Sequence, residues 1–314
     1  MSLLPVEPAW RLAERAVENR WLVTDLWSEQ AVGIVGGEPK CCKSFLALDL
    51  AVAVAAGIPC LRCFAVPRAG RVLLYAAEDA LHIVRSRLEG ICVGAGLTLA
   101  DLDIQVSTAP SLRLDFDADR RNLAETVAQL QPRLLILDPF VRLHRIDENA
   151  SGEVAPLLAY LRDLQRRYGT AVIVVHHARK GAGGVRAGQA LRGSSEFHAW
   201  GDSNLYLRRD GDNLSLSVEH RAAASMAPVS IELAQRGNAL ALEVVVRRDA
   251  VTPASSSLDE RIIAALVEAG RPLPFAELRG CCRIRAATLY ERIAALTVAG
   301  RIGKADDGYH LADA

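Results

Sequence analysis

The chain has 314 residues, 51% of them hydrophobic and 24% charged, an ordinary globular composition with room for one large domain and one small one. The formal net charge is zero, which excludes a global basic field for gathering nucleic acid. No apolar run approaches the roughly 20 residues of a membrane span, and residues 1–20 carry charges throughout without the apolar core of a signal peptide. A cytoplasmic protein with no membrane contact is therefore expected.

Residues 1–30 hold Trp10, Trp21 and Trp27 among charges, with a helix expected over 9–19 and the tryptophans packing against a sheet edge. An apolar run, 31–35, then leads into Gly36-Gly37-Glu38-Pro39-Lys40-Cys41-Cys42-Lys43-Ser44, and an apolar-rich run, 45–56, follows. Strand, loop and helix in that order are the context of a phosphate-binding loop. Backbone N–H groups turned inward and the positive end of a helix dipole would cradle a triphosphate. Gly37, Glu38, Pro39, Lys40, Cys41, Cys42, Lys43, Ser44 and Phe45 are the candidate binding residues, Lys43 reaching the β- and γ-phosphates and Ser44 offering its hydroxyl to Mg²⁺. The pattern G-x-x-x-x-G-K-[ST] fits Gly37, Lys43 and Ser44, but Cys42 stands where the second glycine belongs. A Cβ and a sulfur crowd the place where backbone and phosphate should meet. The stretch thus reads either as a working nucleotide loop or as a turn that once bound nucleotide.

Residues 57–70 are turn-rich, and 71–76 read as a buried strand ending in Glu78-Asp79, with a helix after it (Leu81, Val84, Leu88). This strand is expected to neighbour the loop strand, which would put its carboxylates where ligands bind in open α/β sheets. Glu78 is then a general base orienting water, or Asp79 caps the next helix and Glu78 is solvated. A short strand is expected over 103–107, a loop over 111–119 and a helix over 121–130. Leu134-Leu135-Ile136-Leu137-Asp138-Pro139 is an apolar run ending in an acid, the pattern of a Mg²⁺-binding aspartate downstream of a phosphate loop.

A polar loop, 147–152, precedes a helix to Tyr168, and a buried strand over 170–175 ends in His176-His177. Either histidine is a candidate γ-phosphate sensor, though adjacent strand residues point opposite ways and at most one can face the nucleotide. Residues 179–186 are glycine-rich and basic, suited to phosphate or a nucleic-acid backbone, and Arg192-Gly193-Ser194-Ser195 follow. From Asn204 the period changes to alternation, with a hairpin signal at 210–213, so the sheet should end in antiparallel strands. Residues 250–257 have linker composition. Beyond them, helices over 258–269, from 275, and over 285–299, then a hairpin around Asp306-Asp307-Gly308, make a winged helix-turn-helix pattern. Its charges balance, eight basic against eight acidic, but Arg279, Arg283, Arg285 and Arg292 gather at the presumed reading helix; both DNA and a protein fit as its partner.

The seven cysteines, an odd number, do not suggest a disulfide framework. Cys60 and Cys63 have ligand-like spacing without a second pair nearby and read as small buried residues, so no metal beyond a nucleotide's Mg²⁺ is assigned.

Taken together, the loop 37–44 with its Phe-Leu-Ala-Leu-Asp-Leu-Ala continuation, Tyr75 to Asp79, Leu137-Asp138-Pro139, Asp147-Glu148-Asn149, His176 to Gly181 and Arg192 to Ser195 resemble the RecA-like hexameric plasmid replicative helicases of the RepA type and related ATPases of mobile elements. The resemblance covers roughly residues 20–248. It implies an α/β core with a mostly parallel central sheet over 1–249, beside the linker 250–257 read from composition and the winged helix over 258–314 read from the pattern of helices and hairpin. It also implies ATP and Mg²⁺ as ligands, Glu78 as catalytic base, Ser44 and Asp138 on the metal side, and one of His176 and His177 as sensor. Arg192 becomes an arginine finger acting on a neighbouring subunit, with Arg221 a second candidate. The expected assembly is a homo-oligomer, a hexamer, with single-stranded DNA through the ring and duplex DNA at the winged helix. The activity implied is ATP hydrolysis driving a helicase or motor in replication or recombination. The alternatives are an ATP-gated DNA-binding regulator that does not unwind, or a binding module whose nucleotide site Cys42 has impaired.

Overall fold

The computed structural model describes residues 6–11, 20–177, 196–211, 213–236, 239–245, 258–282, 286–305 and 307–312. The expected helix beyond residue 11, the basic stretch 179–186, Arg192, the linker 250–257, Arg283 and Arg285 lie outside the described residues. The chain divides into two compact units, Met1–Val245 and Val246–Ala314.

The first unit opens on β1 (Trp21–Val23) and β2 (Trp27–Ser28), a short antiparallel pair. Trp27 is fully buried and donates its indole N–H to the Ala31 carbonyl at 3.3 Å. β3 (Val32–Gly37) leads through the loop into α1 (Lys43–Ala56), which is buried nearly all round and ends at Gly57, whose left-handed φ of 69° lets its N–H return to the Ala53 carbonyl. Then follow β4 (Val72–Ala76), α2 (Leu81–Gly94), β5 (Ile104–Val106), α3 (Asp117–Leu130), β6 (Leu134–Asp138), α4 (Ser151–Tyr168), β7 (Ala171–His177) and the short α5 (Glu196–Trp200). β8 (Ser203–Asp210), β9 (Asn213–His220), β10 (Val229–Arg236) and β11 (Ala239–Val244) complete the unit. Residues 117–119, expected as loop, are the first turn of α3, where Asp117 and Asp119 complement the positive end of the helix dipole.

Nine strands form one sheet in the order β11-β10-β9-β8-β3-β7-β6-β4-β5. The stretch from β8 through β3 to β5 is parallel, and β9, β10 and β11 extend it as an antiparallel meander. The strand carrying Glu78 does not neighbour the loop strand: β7 and β6 lie between β3 and β4. Side chains alternate between two cores. On β7, Ile173 and Val175 face α1 and α2, whereas Val172 and Val174 face α3, α4 and α5.

A buried ion pair fastens α1 to the turn behind it. Asp49, fully buried on α1, accepts the Leu61 N–H at 2.7 Å and pairs with Arg62. Cys60, half of the C-x-x-C, is buried against Asp49 while Cys63 is exposed, and among the described residues no three His, Cys, Asp or Glu are grouped to hold a metal. No helix among the described residues is long and apolar enough to cross a membrane.

The second unit holds α6 (Leu258–Ala269), α7 (Phe275–Cys282) and α8 (Ala286–Val298), then β12 (Ile302–Ala305) and β13 (Gly308–Leu311) paired antiparallel. Its core is Ile262, Leu266, Leu278, Leu289, Ile293 and Leu296 with Ile302 of the hairpin, and Leu273 bridges to Tyr309.

Candidate functional site

Parallel register lines up the ends of the strands. Gly37 of β3 sits beside His177 of β7 and Leu207 of β8, and Ala76 of β4 sits beside Asp138 of β6. The loop after β3, the carboxylates after β4 and the acid ending β6 therefore emerge on one edge of the sheet. A cavity of ≈ 330 Å³ lies there, lined by Lys40, Cys42, Lys43, Ser44, Phe45, Glu78, Asp79, Arg87, Asp138, Val175 and His177. That volume falls in the lower part of the range of about 300–1,000 Å³ typical of small-molecule sites.

The loop backbone is tightly wound. Gly37 has φ 155°, and a Cβ there would meet the Leu207 carbonyl oxygen at 2.4 Å and the Cys41 sulfur at 2.6 Å, so only glycine fits. Lys40 and Cys42 have φ of 64° and 66°, left-handed values that side chains disfavour. Cys42 is the residue before α1; the Leu46 N–H returns to its carbonyl at 3.0 Å, and the Lys43, Ser44 and Phe45 N–H groups have no partner within the helix. Cys41 is fully buried under the loop, where burial pushes its thiol above the ordinary range. Lys43 is almost wholly buried, and its ammonium donates to the Glu38 carbonyl at 2.8 Å across the loop.

Three carboxylates and several cations surround the cavity. The Asp138 carboxyl takes a hydrogen bond from the Ser44 hydroxyl; burial raises its pKa to about 6, with the charges of Asp79 and Glu78 adding to the rise and Lys43 opposing it. Asp79 pairs with Arg87 of α2, whose guanidinium also lies over the Phe45 ring at 5.1 Å. Glu78 receives Arg142, with Nε at 3.3 Å and a terminal nitrogen at 3.2 Å from the same oxygen. Arg209, near the end of β8, donates to the Cys42 sulfur at 3.6 Å.

The two histidines part company. His177 lines the cavity on the α1 side. His176, expected as an alternative sensor, is 1% exposed on the other face of the sheet, stacked on Phe197 with ring centres 4.2 Å apart and edge-on to Phe140. The period of two along a strand makes this division unavoidable. Arg221 lies elsewhere, donating to the Ala199 carbonyl and near Asp202. Arg87, Arg142 and Arg209 were not legible as site residues, because they come from a helix face, a single 3₁₀ turn and a strand end that carry no motif.

The donor set suits the group the loop implies. Mg²⁺ takes hard oxygens, with one or two protein ligands and the rest from water and phosphate. Ser44 and Asp138 already share a hydrogen bond in the cavity and offer two such oxygens.

Comparison with known proteins bears on the fold and the family. The fold is similar to that of a DnaB-like replicative helicase, described together with its interactions with primase, at a TM-score of 0.52 and 12% identity. The likeness covers 68% of this chain and 57% of that one, and at this identity it is one of fold: a RecA-like core, with a mostly parallel sheet between helices. The profile of the AAA domain family matches residues 2–183, more than half of the sequence. With the phosphate loop, the acid-tipped strand and the sheet order all inside or beside that match, the chain belongs to the AAA domain family, a family of ATP-hydrolysing enzymes.

Proposed function

We propose that this protein is a DNA-acting ATPase that hydrolyses ATP in the cavity at the strand ends. The observation that carries the reading is the convergence of Lys43, Ser44, Glu78 and Asp138, from three separate segments of sequence, on one cavity. Lys43 and the N–H groups opening α1 bind the phosphates. Ser44 and Asp138 hold Mg²⁺, which when bound offsets charge on the phosphate oxygens. Glu78 orients water and accepts its proton, and His177 reads the γ-phosphate from the neighbouring strand. Arg192, outside the described residues, serves as the finger that reaches a neighbouring subunit's nucleotide, which requires a ring or filament; a hexamer of the RepA type is the form proposed. The second unit acts as a winged helix on duplex DNA, with α8 as the reading helix. Unwinding during replication or recombination of a mobile element is the activity proposed for the assembly. The similarity in fold to a replicative helicase supports it.

The test is ATP turnover with and without single-stranded DNA for the native chain, Cys42→Gly and Glu78→Gln. DNA-stimulated turnover that disappears in Glu78→Gln is expected. Turnover that survives Glu78→Gln would refute the assignment of the base. A second reading, an ATP-gated DNA-binding regulator that does not unwind, is favoured by Cys42 lining the cavity. It requires negligible turnover in the native chain and recovery in Cys42→Gly.

A further inference from the structure

Neither member of the C-x-x-C pair, Cys60 and Cys63, lines the nucleotide cavity, and the structure treats the two differently: Cys60 is fully buried and Cys63 is exposed. They close one tight turn. The N–H groups of Cys63 and Phe64 both donate to the Cys60 carbonyl, at 3.0 and 2.9 Å, and the Cys60 N–H returns to the Phe64 carbonyl at 2.8 Å. A turn of this kind brings its end Cα atoms within about 7 Å, close to the span of about 4.4–6.8 Å that disulfides bridge. Leu61 and Arg62 between them have left-handed φ of 49° and 61°, and neither is a residue that favours that region. Asp49 holds them there: its buried carboxylate accepts the Leu61 N–H, pairs with Arg62 and is hydrogen-bonded to the Cys60 thiol. An exposed thiol to attack, a second thiol within reach to resolve, and a carboxylate to take the second thiol's proton suffice for reversible thiol–disulfide exchange.

We propose that Cys60 and Cys63 form a thiol–disulfide exchange site whose substrate class is the low-molecular-weight disulfides. The Cys63 thiolate attacks one sulfur of the small disulfide; a bond forms between them, the small S–S bond breaks, and one small thiolate leaves. Cys60 then passes its proton to Asp49 and its sulfur attacks Cys63, forming the Cys60–Cys63 bond and expelling the second small thiolate, which takes up that proton. Two protein thiols are oxidised and one small disulfide is reduced to two thiols, so electrons and protons balance. Burial holds the Cys60 thiol well above its ordinary range, which keeps it from starting the exchange and leaves the first attack to Cys63. Oxidation takes the thiol away from Asp49, so its effect falls on the turn that fastens α1.

The experiment treats the native chain, Cys60→Ser and Cys63→Ser with oxidised glutathione, alkylates the remaining thiols, and digests with trypsin without reduction. Cleavage after Lys43, Arg62 and Arg68 puts the two cysteines on separate peptides, residues 44–62 and 63–68, for mass spectrometry. From the native chain these peptides should appear joined, without glutathione, and should separate on reduction. Cys60→Ser should stop at the mixed disulfide, with glutathione held on peptide 63–68. In Cys63→Ser, Cys60 should react about tenfold more slowly than in the native chain, or slower still. A native chain that keeps glutathione on Cys63, or leaves both cysteines reduced, would overturn the proposal. So would undiminished reaction of Cys60 in Cys63→Ser, because the buried thiol would then have no need of its exposed partner.

Discussion

Replacing Cys42 with glycine should make the first unit more stable, although it removes atoms from a half-buried position. The residue has φ 66° and ψ 24°, deep in the left-handed region, where a Cβ crowds the following carbonyl at a cost of about 1–2 kcal/mol. Glycine relieves that strain but gains freedom in the unfolded chain, which offsets about 0.4–1 kcal/mol. The expected net gain is roughly 0.5–1 kcal/mol. For a unit spanning Met1–Val245, this corresponds to about 1–4 °C in its melting midpoint. The fair comparison is Cys42→Gly against Cys42→Ala, since both lose the sulfur and its contact with Arg209 and only alanine keeps the Cβ. Calorimetry of the metal-free and nucleotide-free protein, following the transition of the larger unit, gives the difference. If glycine is no more stable than alanine at this position, the left-handed strain is not there and the account of the loop is wrong.

Two further outcomes test the neighbourhood of the site. Asp49→Ala strips the buried partner from Arg62 and the acceptor from the Leu61 N–H, and should cost about 3 kcal/mol in urea denaturation, loosening the turn that fastens α1. Asp138 has a folded pKa of about 6 against an ordinary 3.8, so the folded state holds its proton more tightly than the unfolded chain does. Its contribution is fully present below pH 3.8 and is lost as pH rises through about 6, at most about 3 kcal/mol. In EDTA, Asp138→Asn should therefore be more stable than the native protein at pH 7, with the difference shrinking toward pH 4. A gap that does not change between those pH values would contradict the burial of the carboxyl.

Local chemistry was readable and spatial order was not. The apolar run into Gly36-Gly37, the apolar helix after Ser44 and the apolar strand ending in Asp138 declare themselves, because burial on both faces of a parallel strand leaves nothing to alternate with. The switch to period two from Asn204 likewise announces the meander β8 to β11, which is solvated on part of its surface. The order of strands is different in kind. A crossover through a helix can land one strand away or several, and the sequence between Gly37 and Val72 carries no record that β7 and β6 will separate them. Glu78 still reaches the cavity because every parallel strand delivers its carboxyl end to the same edge, whichever neighbour it has. The short pair β1 and β2 was missed for its length, and the three site arginines because a charged residue on a helix face or strand end reads as solvated surface until the fold shows what it faces.

Cys42 brings these two kinds of information together. Read as a motif, it is a defect, since the pattern asks for glycine at that position. Read as backbone, it still adopts the conformation for which glycine is chosen, although the side chain resists it. The loop runs from a strand end pinned by the Leu207 carbonyl to the start of a helix buried nearly all round. Both anchors are set by packing of the whole sheet, so the turn between them is imposed on whatever residue occupies it. Strain accepted at position 42 is therefore evidence of how firmly the surrounding core holds the cradle. The departure from the pattern bears on the room left for phosphate, while the winding of the loop is secured by residues far from it in sequence.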